Sequence, residues 1–233
     1  MTTEIQQKNW QQDYKRDGFL VVQAVLSNDE CAMLKTEGLE VLRQHAPQGC
    51  SVYVGVAAAS NAYYLLASHP NIVEVLKNLM PDGVAFLSDK FVFKSAEMRF
   101  PTPWHQDEAY WRGTRPKLSV WIALDDVNSR NGALKVLAGH HAAPLEHGGP
   151  NAVPTNEFGN ILRDLPQDAP GEIICEMKAG DALFFSDLTP HASCPNDSGQ
   201  DRYAIISTYH APVDNEEEFD LMFAARHVIV PKD

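Results

Sequence analysis

The sequence predicts a mainly β fold with flanking helices, a double-sheet jelly-roll barrel with helical buttresses. Two observations carry that expectation. Helical patterns are confined to about residues 1–80, and from residue 84 onward short β-rich runs follow one another between turn clusters. The chain shows no internal repeat, low-complexity tract or evident linker, so a single domain over 1–233 is expected, with a helical buttress over about 1–80 and a β core over about 83–212.

The elements follow in order. Residues 4–16 read as a short polar helix, and Phe19 to Val22 as an apolar strand. Ser27-Asn28-Asp29-Glu30 is a capping box, Ser27 accepting an exposed backbone N–H while Glu30 reaches back. It opens a helix to about Gln44 with Ala32, Leu34, Leu39 and Leu42 among its apolar positions. Pro70, suited to a first helical turn, starts another helix that runs to about Leu79. After Pro81-Asp82-Gly83 come seven β-rich runs: Val84–Leu87, Phe91–Phe93, Leu118–Leu124, Ala133–Leu137, Glu172–Met177, Ala182–Phe185 and Tyr203–Tyr209. Turn clusters at 128–132 and 178–181 punctuate them. Residues 138–171, rich in Gly, Pro and His, form a long excursion of the kind that covers an active site.

Composition narrows the function classes. A hydrophobic fraction of 44% with 21% charged residues is ordinary for a folded globule. Nineteen Lys and Arg against 31 Asp and Glu give a formal charge of −12. With no basic run, neither nucleic acid nor an anionic membrane surface is an expected partner. No segment reaches the roughly 20 apolar residues of a spanning helix, and the polar N-terminus lacks a signal-peptide core. Cys31, Cys50, Cys175 and Cys194 are scattered, which fits reduced thiols in a cytoplasmic protein.

The chemistry centres on Trp104-His105-Gln106-Asp107. In an extended segment residues two apart share a face, so His105 and Asp107 can converge on one ion. His191, directly after the predicted strand Ala182–Phe185, is the best third ligand. Two imidazoles and a carboxylate leave half an octahedron open, an arrangement suited to Fe(II) with a bidentate co-substrate and O₂ side by side. His-x-Asp alone occurs often by chance among nine His residues. Arg202 adds weight: eleven residues after His191, at the head of a strand, it can hold a carboxylate bidentately. Ser193 can add a hydroxyl to the same carboxylate.

Further segments carry a family resemblance. Asp17-Gly18-Phe19-Leu20-Val21-Val22, Val25-Leu26-Ser27, Phe91-Val92-Phe93-Lys94, Trp121-Ile122-Ala123-Leu124-Asp125-Asp126, Asn131-Gly132-Ala133-Leu134 and Gly180-Asp181-Ala182-Leu183-Phe184-Phe185 fall in one order between about residues 14 and 210. Together they resemble the phytanoyl-CoA dioxygenase family. The resemblance implies a double-stranded β-helix and an iron triad at His105, Asp107 and His191. It also implies that Arg202 and Ser193 hold 2-oxoglutarate, with Trp121 beside them. The implied activity is an Fe(II)- and 2-oxoglutarate-dependent dioxygenase that consumes O₂, most simply to hydroxylate a small-molecule metabolite. Related halogenases have Gly or Ala where Asp107 stands, so the carboxylate favours oxygen insertion over halogenation.

The chain departs from the family in two places. The family often has a Lys well upstream of His-x-Asp to assist the co-substrate, and none stands between Gln44 and Leu76, so Tyr53 is a candidate substitute. After Asn131-Gly132 the usual Pro-Gly-Ser-His turn is replaced, leaving Lys135 either facing the pocket or solvated. Tyr110, Trp111, Arg112 and Arg115 are candidates for the pocket mouth, and Tyr53, Tyr63 and Tyr64 for a covering segment, each weighed against ordinary packing. His140, His141 and His147 lack a carboxylate at ligand spacing and read as loop residues, His210 as core or pocket packing, and Tyr209 as structural. A zinc-dependent hydrolase or lyase of cupin type would use the same triad but leave Arg202 idle. A non-catalytic member of the fold would be expected to have lost a ligand. Substrate identity and oligomeric state are not legible.

Overall fold

The computed structural model describes residues 9–46, 50–110, 116–148, 160–163, 165, 170–212 and 227–231. The predicted 4–16 helix appears as α1 (Trp10–Asp17), residues 4–8 lying outside the described range. It ends at Gly18, whose φ of +82° is the left-handed geometry glycine adopts without strain. A Cβ there would also strike His141 and Thr189. Strand β1 (Phe19–Val22) follows, then α2 (Asn28–His45), whose capping box at Ser27 and Glu30 is present in both directions. Further along are β2 (Val52–Val54), α3 (Asn61–Leu66) and α4 (Pro70–Leu79). The short β2 and α3 carry too few periodic residues to be read from the sequence.

The two runs expected at Val84–Leu87 and Phe91–Phe93 are one strand, β3 (Val84–Lys94). Its polar centre, Ser88-Asp89-Lys90, looked like a break but has work on both faces. Asp89 turns to the helical side and accepts the Ala57 N–H at 3.0 Å, while Lys90 faces a cavity. The remaining strands are β4 (Lys117–Ala123), β5 (Leu134–Leu137), β6 (Glu172–Cys175), β7 (Ala182–Ser186), β8 (His191–Ser193), β9 (Arg202–His210) and β10 (His227–Val230).

Two antiparallel sheets result. The larger has the order β1-β7-β4-β9-β3-β10, with β2 also on β3, and the smaller is β6-β5-β8. Non-consecutive neighbours along the larger sheet's main order and at β5-β8 are the mark of a jelly roll rather than a meander. Alternation sorts β4 and β9 cleanly. Leu118, Val120, Ile122, Tyr203, Ile205 and Tyr209 face the helices and join one core with Ile72, Val75 and Leu76 of α4. Trp121, Ala123, Leu183, Phe185 and Ala204 face the smaller sheet and meet Leu134, Val136 and Met177. Each fully buried aliphatic or aromatic side chain contributes about 1.5–3 kcal/mol relative to exposure. The helix-backed layer therefore anchors a sheet whose inner face carries Lys, Arg, Ser and His.

Tyr63 and Tyr209 are both buried and donate to the carbonyls of Leu34 and Ala67, at 2.8 and 3.0 Å. They are structural, and Tyr64 is exposed. All four cysteines are free thiols. Among the described residues no helix is long and apolar enough to cross a membrane.

Candidate metal centre

The segment before the Asp107–Tyr110 turn meets β8 at His105 and His191. His105 N–H donates to the His191 carbonyl at 3.0 Å, and His191 N–H donates back to His105 at 2.9 Å. This isolated bridge fixes both backbones at the mouth between the sheets. The segment is extended only as far as Gln106. Asp107 begins a tight turn, Asp107–Tyr110, so its carboxylate reaches His105 by a turn of the chain and not by strand alternation, as the sequence had suggested. Ser119 on β4 fixes the outcome, its hydroxyl donating to Asp107 Oδ2 at 2.8 Å and leaving Oδ1 to point at the imidazoles.

Asp107 Oδ1 lies 3.9 Å from His105 Nε2 and 3.8 Å from His191 Nε2. The three donor atoms lie within 4.8 Å of one another, and all three residues are buried. Each imidazole donates from Nδ1 to a backbone carbonyl, His105 to Pro103 at 2.8 Å and His191 to Thr189 at 3.0 Å. A carbonyl can only accept, so the proton sits on Nδ1 and the Nε2 lone pair faces inward, ready to bind a metal.

Electrostatics keep both rings neutral. Burial, and then the facing His191, hold His105 down to about 3, and burial also lowers His191. Burial works against ionisation of Asp107, but Lys90 foremost and then the two imidazoles outweigh it, keeping the carboxyl well below the usual carboxylate range. The trio is thus two neutral imidazoles and one carboxylate at neutral pH. Metal ions compete with protons only below a ligand's pKa in the folded protein. With both imidazoles lowered from the ordinary value, affinity for Co(II) is expected to stay flat from pH 8 to 7 and to fall only in more acid solution. A tenfold loss across that window in isothermal titration would contradict it.

Gln106, wedged between two of these residues, is fully buried and clamps three segments. Its amide donates to the carbonyls of Leu188 at 2.6 Å and Ala143 at 3.2 Å, and its side-chain oxygen accepts from Leu145 N–H at 2.7 Å. Its backbone N–H donates to His147 Nε2 at 3.1 Å. His147 therefore belongs to the wall behind the centre. His140 stays exposed, His141 packs by Gly18, and no second metal cluster occurs among the described residues.

A cavity of about 450 Å³ opens from the trio between the sheets. Arg202, Ser193 and Trp121 line it, as does Tyr110, whose ring meets His105 edge-on at 6.0 Å. Arg202 is 1% exposed, its guanidinium 5.4 Å from the Trp121 ring. Nη2 donates to the Gly132 carbonyl at 3.0 Å and Nε to that of Asn131 at 3.4 Å, while Nη1 has no partner. Burial lowers this guanidinium to about 10, with Asp125 opposing. A buried cation with an idle N–H is a site built for an anion. Ser193 Oγ accepts from Thr102 N–H at 2.8 Å, which leaves its own proton free to donate into the cavity.

Two expected contacts are corrected. Tyr53 packs against the helical core, because on β2 alternation sends Val52 and Val54 to the cavity instead. Lys135 pairs with Glu172 at 3.3 Å and lies over the Trp104 ring, since on β5 it is the neighbouring Leu134 that lines the cavity. Trp111, Arg112 and Arg115 lie outside the described residues. His210 is buried and bonds the Ala211 carbonyl at 2.6 Å, away from the cavity wall. Sequence reasoning missed Lys90, Lys94, Gln106 and Ser119. The signal for the lysines was present: polar residues at 88, 90 and 94 share one face of an otherwise apolar run.

Similar proteins give the arrangement its context. Residues 14–204 match the model of the family described as phytanoyl-CoA dioxygenase. The peroxisomal phytanoyl-CoA dioxygenase of Rattus norvegicus is 25% identical, over 84% of this chain and 66% of its own length. L-proline trans-4-hydroxylase of Streptomyces griseoviridis is 27% identical over 84% of each. Among solved structures, the non-heme alpha-ketoglutarate-dependent carbocyclase SnoK superposes with a TM-score of 0.75 at 21% identity, over 99% of this chain and 98% of its own. The epimerase SnoN, solved with Fe3+ and alpha-ketoglutarate, gives 0.74 at 18% identity, over 95% and 96%. These neighbours establish the double-stranded β-helix, and the match across most of its length shows that the chain belongs to the phytanoyl-CoA dioxygenase family.

Proposed function

We propose that the family's Fe(II)- and 2-oxoglutarate-dependent oxygenation is seated in this chain on His105, Asp107 and His191, with 2-oxoglutarate held by Arg202 and Ser193 against Trp121. The chain is a 2-oxoglutarate-dependent non-haem iron dioxygenase acting on a small molecule. The observation that carries the residue assignment is the pairing of two geometries in one cavity. Inward-facing imidazole lone pairs meet a carboxylate oxygen, and a buried guanidinium with an idle N–H faces the same space. A zinc hydrolase would need the first and leave the second unexplained.

When bound, iron would activate O₂, the oxidant, with 2-oxoglutarate giving up two electrons as it becomes succinate and CO₂ and the substrate giving up the other two. The chain's own residues bind, orient and exclude water. Carbonyls at 103 and 189 hold the imidazoles in the metal-binding tautomer, and Ser119 holds the carboxylate. Arg202 and Ser193 offer N–H and O–H donors to the distal carboxylate, while Val52, Val54, Val92 and Ile206 keep the wall apolar. Tyr110 stands at the mouth, 42% exposed. We read the helices before residue 80 and the β core as one catalytic unit, since without the helical layer the back of the sheet would lie open.

The test is release of succinate from 2-oxoglutarate. It is expected only when Fe(II) and O₂ are both supplied, and to vanish in His105→Ala. Failure of wild-type protein to bind Fe(II) and 2-oxoglutarate together would overturn the assignment.

A further inference from the structure

Lys90 is the cavity cation to which the reading above gives no ligand. It sits on β3 opposite Ile206 of β9 and Val54 of β2, and its side chain faces the cavity. Four residues along the same face stands Lys94, opposite Arg202, so the two lysine rows are about 13 Å apart along the strand. Lys94 is buried at the Arg202 end, donating to the Phe100 carbonyl and lying 5.2 Å from that ring. Lys90 is different: among the described residues it has no carboxylate within salt-bridge distance, and the acid it influences is Asp107.

Charge sharpens the point. The chain carries a formal charge of −12, yet Asp107 is the sole acidic residue among the described residues of the cavity wall, against Lys90, Lys94 and Arg202. Loading does not correct this, because a divalent ion and a 2-oxoglutarate dianion cancel. On that reading Arg202 and Ser193 would serve one carboxylate of the keto acid, and the metal would take its other end. Lys90 then remains, half-buried, on the wall shared by Trp121 and Ile206. An ammonium in a partly apolar cavity is costly without a counter-charge.

We propose that Lys90 is the substrate's anion-binding residue, so that the molecule oxidised here is a small oxyanion, a carboxylate or phosphonate, held by its acid group at Lys90. This deepens the dioxygenase reading and rests on it. The acid end is fixed on the β3 side of the cavity, while Val52, Val54 and Ile206 leave room for an apolar body. A neutral isostere loses the ion pair and leaves Lys90 unpaired in the closed complex, which is how a site built for a polar group rejects its analogue.

The experiment uses the full chain loaded with Co(II) and 2-oxoglutarate without O₂, titrated with matched pairs: hexanoate against hexanamide, and butylphosphonate against its dimethyl ester. Binding is read from the Co(II) visible spectrum, and the two acids separate the carboxylate from the phosphonate form of the proposal. At least one acid is expected to bind tenfold or more tightly than its neutral partner. Lys90→Met should abolish that preference, and Lys90→Arg should keep it. The affinity of both variants for 2-oxoglutarate, measured before any probe is added, should change less than twofold. The proposal is overturned if no acid outbinds its neutral partner, if Lys90→Met retains the preference, or if Lys90→Met loses 2-oxoglutarate instead. Loss of Co(II) or 2-oxoglutarate binding by wild-type protein is a separate result that overturns the dioxygenase assignment itself.

Discussion

Replacing His191 with Ala is expected to lower Fe(II) or Co(II) affinity by roughly 100-fold or more and to remove succinate formation, while leaving the protein folded. The imidazole is one of only three donors in the trio, and the carbonyl of Thr189 already holds it in the binding tautomer, so a free ligand from solution cannot replace it at equal cost. The backbone bridge to His105 does not need the side chain and should survive, which keeps the effect on stability small. Isothermal titration with Co(II), far-UV circular dichroism and a succinate assay on one preparation test this. Wild-type metal affinity in the variant would remove His191 from the centre.

Arg202→Met is the second change with a large effect, and it separates binding from folding. A charge-assisted hydrogen bond is worth about 1.5–3 kcal/mol, so losing one raises the KM for 2-oxoglutarate roughly 10- to 150-fold. Metal affinity should be unchanged, since Arg202 is not among the grouped donors. Stability should hold or rise, because a guanidinium that is 1% exposed with an idle Nη1 is already costly to bury, and Met occupies similar space with no charge. A lower melting temperature with an unchanged KM would reverse the assigned role and make Arg202 a structural cation tying β9 to the 131–132 turn.

Most of the fold was legible because its long elements obey simple periods. The capping box at Ser27 and Pro70 at a helix start fixed α2 and α4, and the β-rich runs at 118–124 and 203–209 marked β4 and β9. What escaped had physical reasons. Strand β3 was split because its middle is polar, yet those polar residues are there to serve the cavity and the Ala57 amide. Strands β2 and β8, three residues each, carry no pattern a sequence can show. The metal trio and Arg202 could be named from spacing and family likeness, but the parity of a short strand could not, so Tyr53 and Lys135 were placed one residue away from the side chains that face the cavity. Gln106 was invisible for a similar reason, since its partners at 143, 145 and 188 are set by loops.

The paired hydrogen bonds between the backbones of His105 and His191 bear on how the enzyme is assembled. The chain closes its own seam there, so the coordination pocket is shaped by folding and does not wait for an ion to gather it. Iron can then arrive last and leave first. A preparation stripped by chelator should be an intact vessel awaiting refill, open to surrogate ions and recoverable after oxidative loss of its ferrous charge.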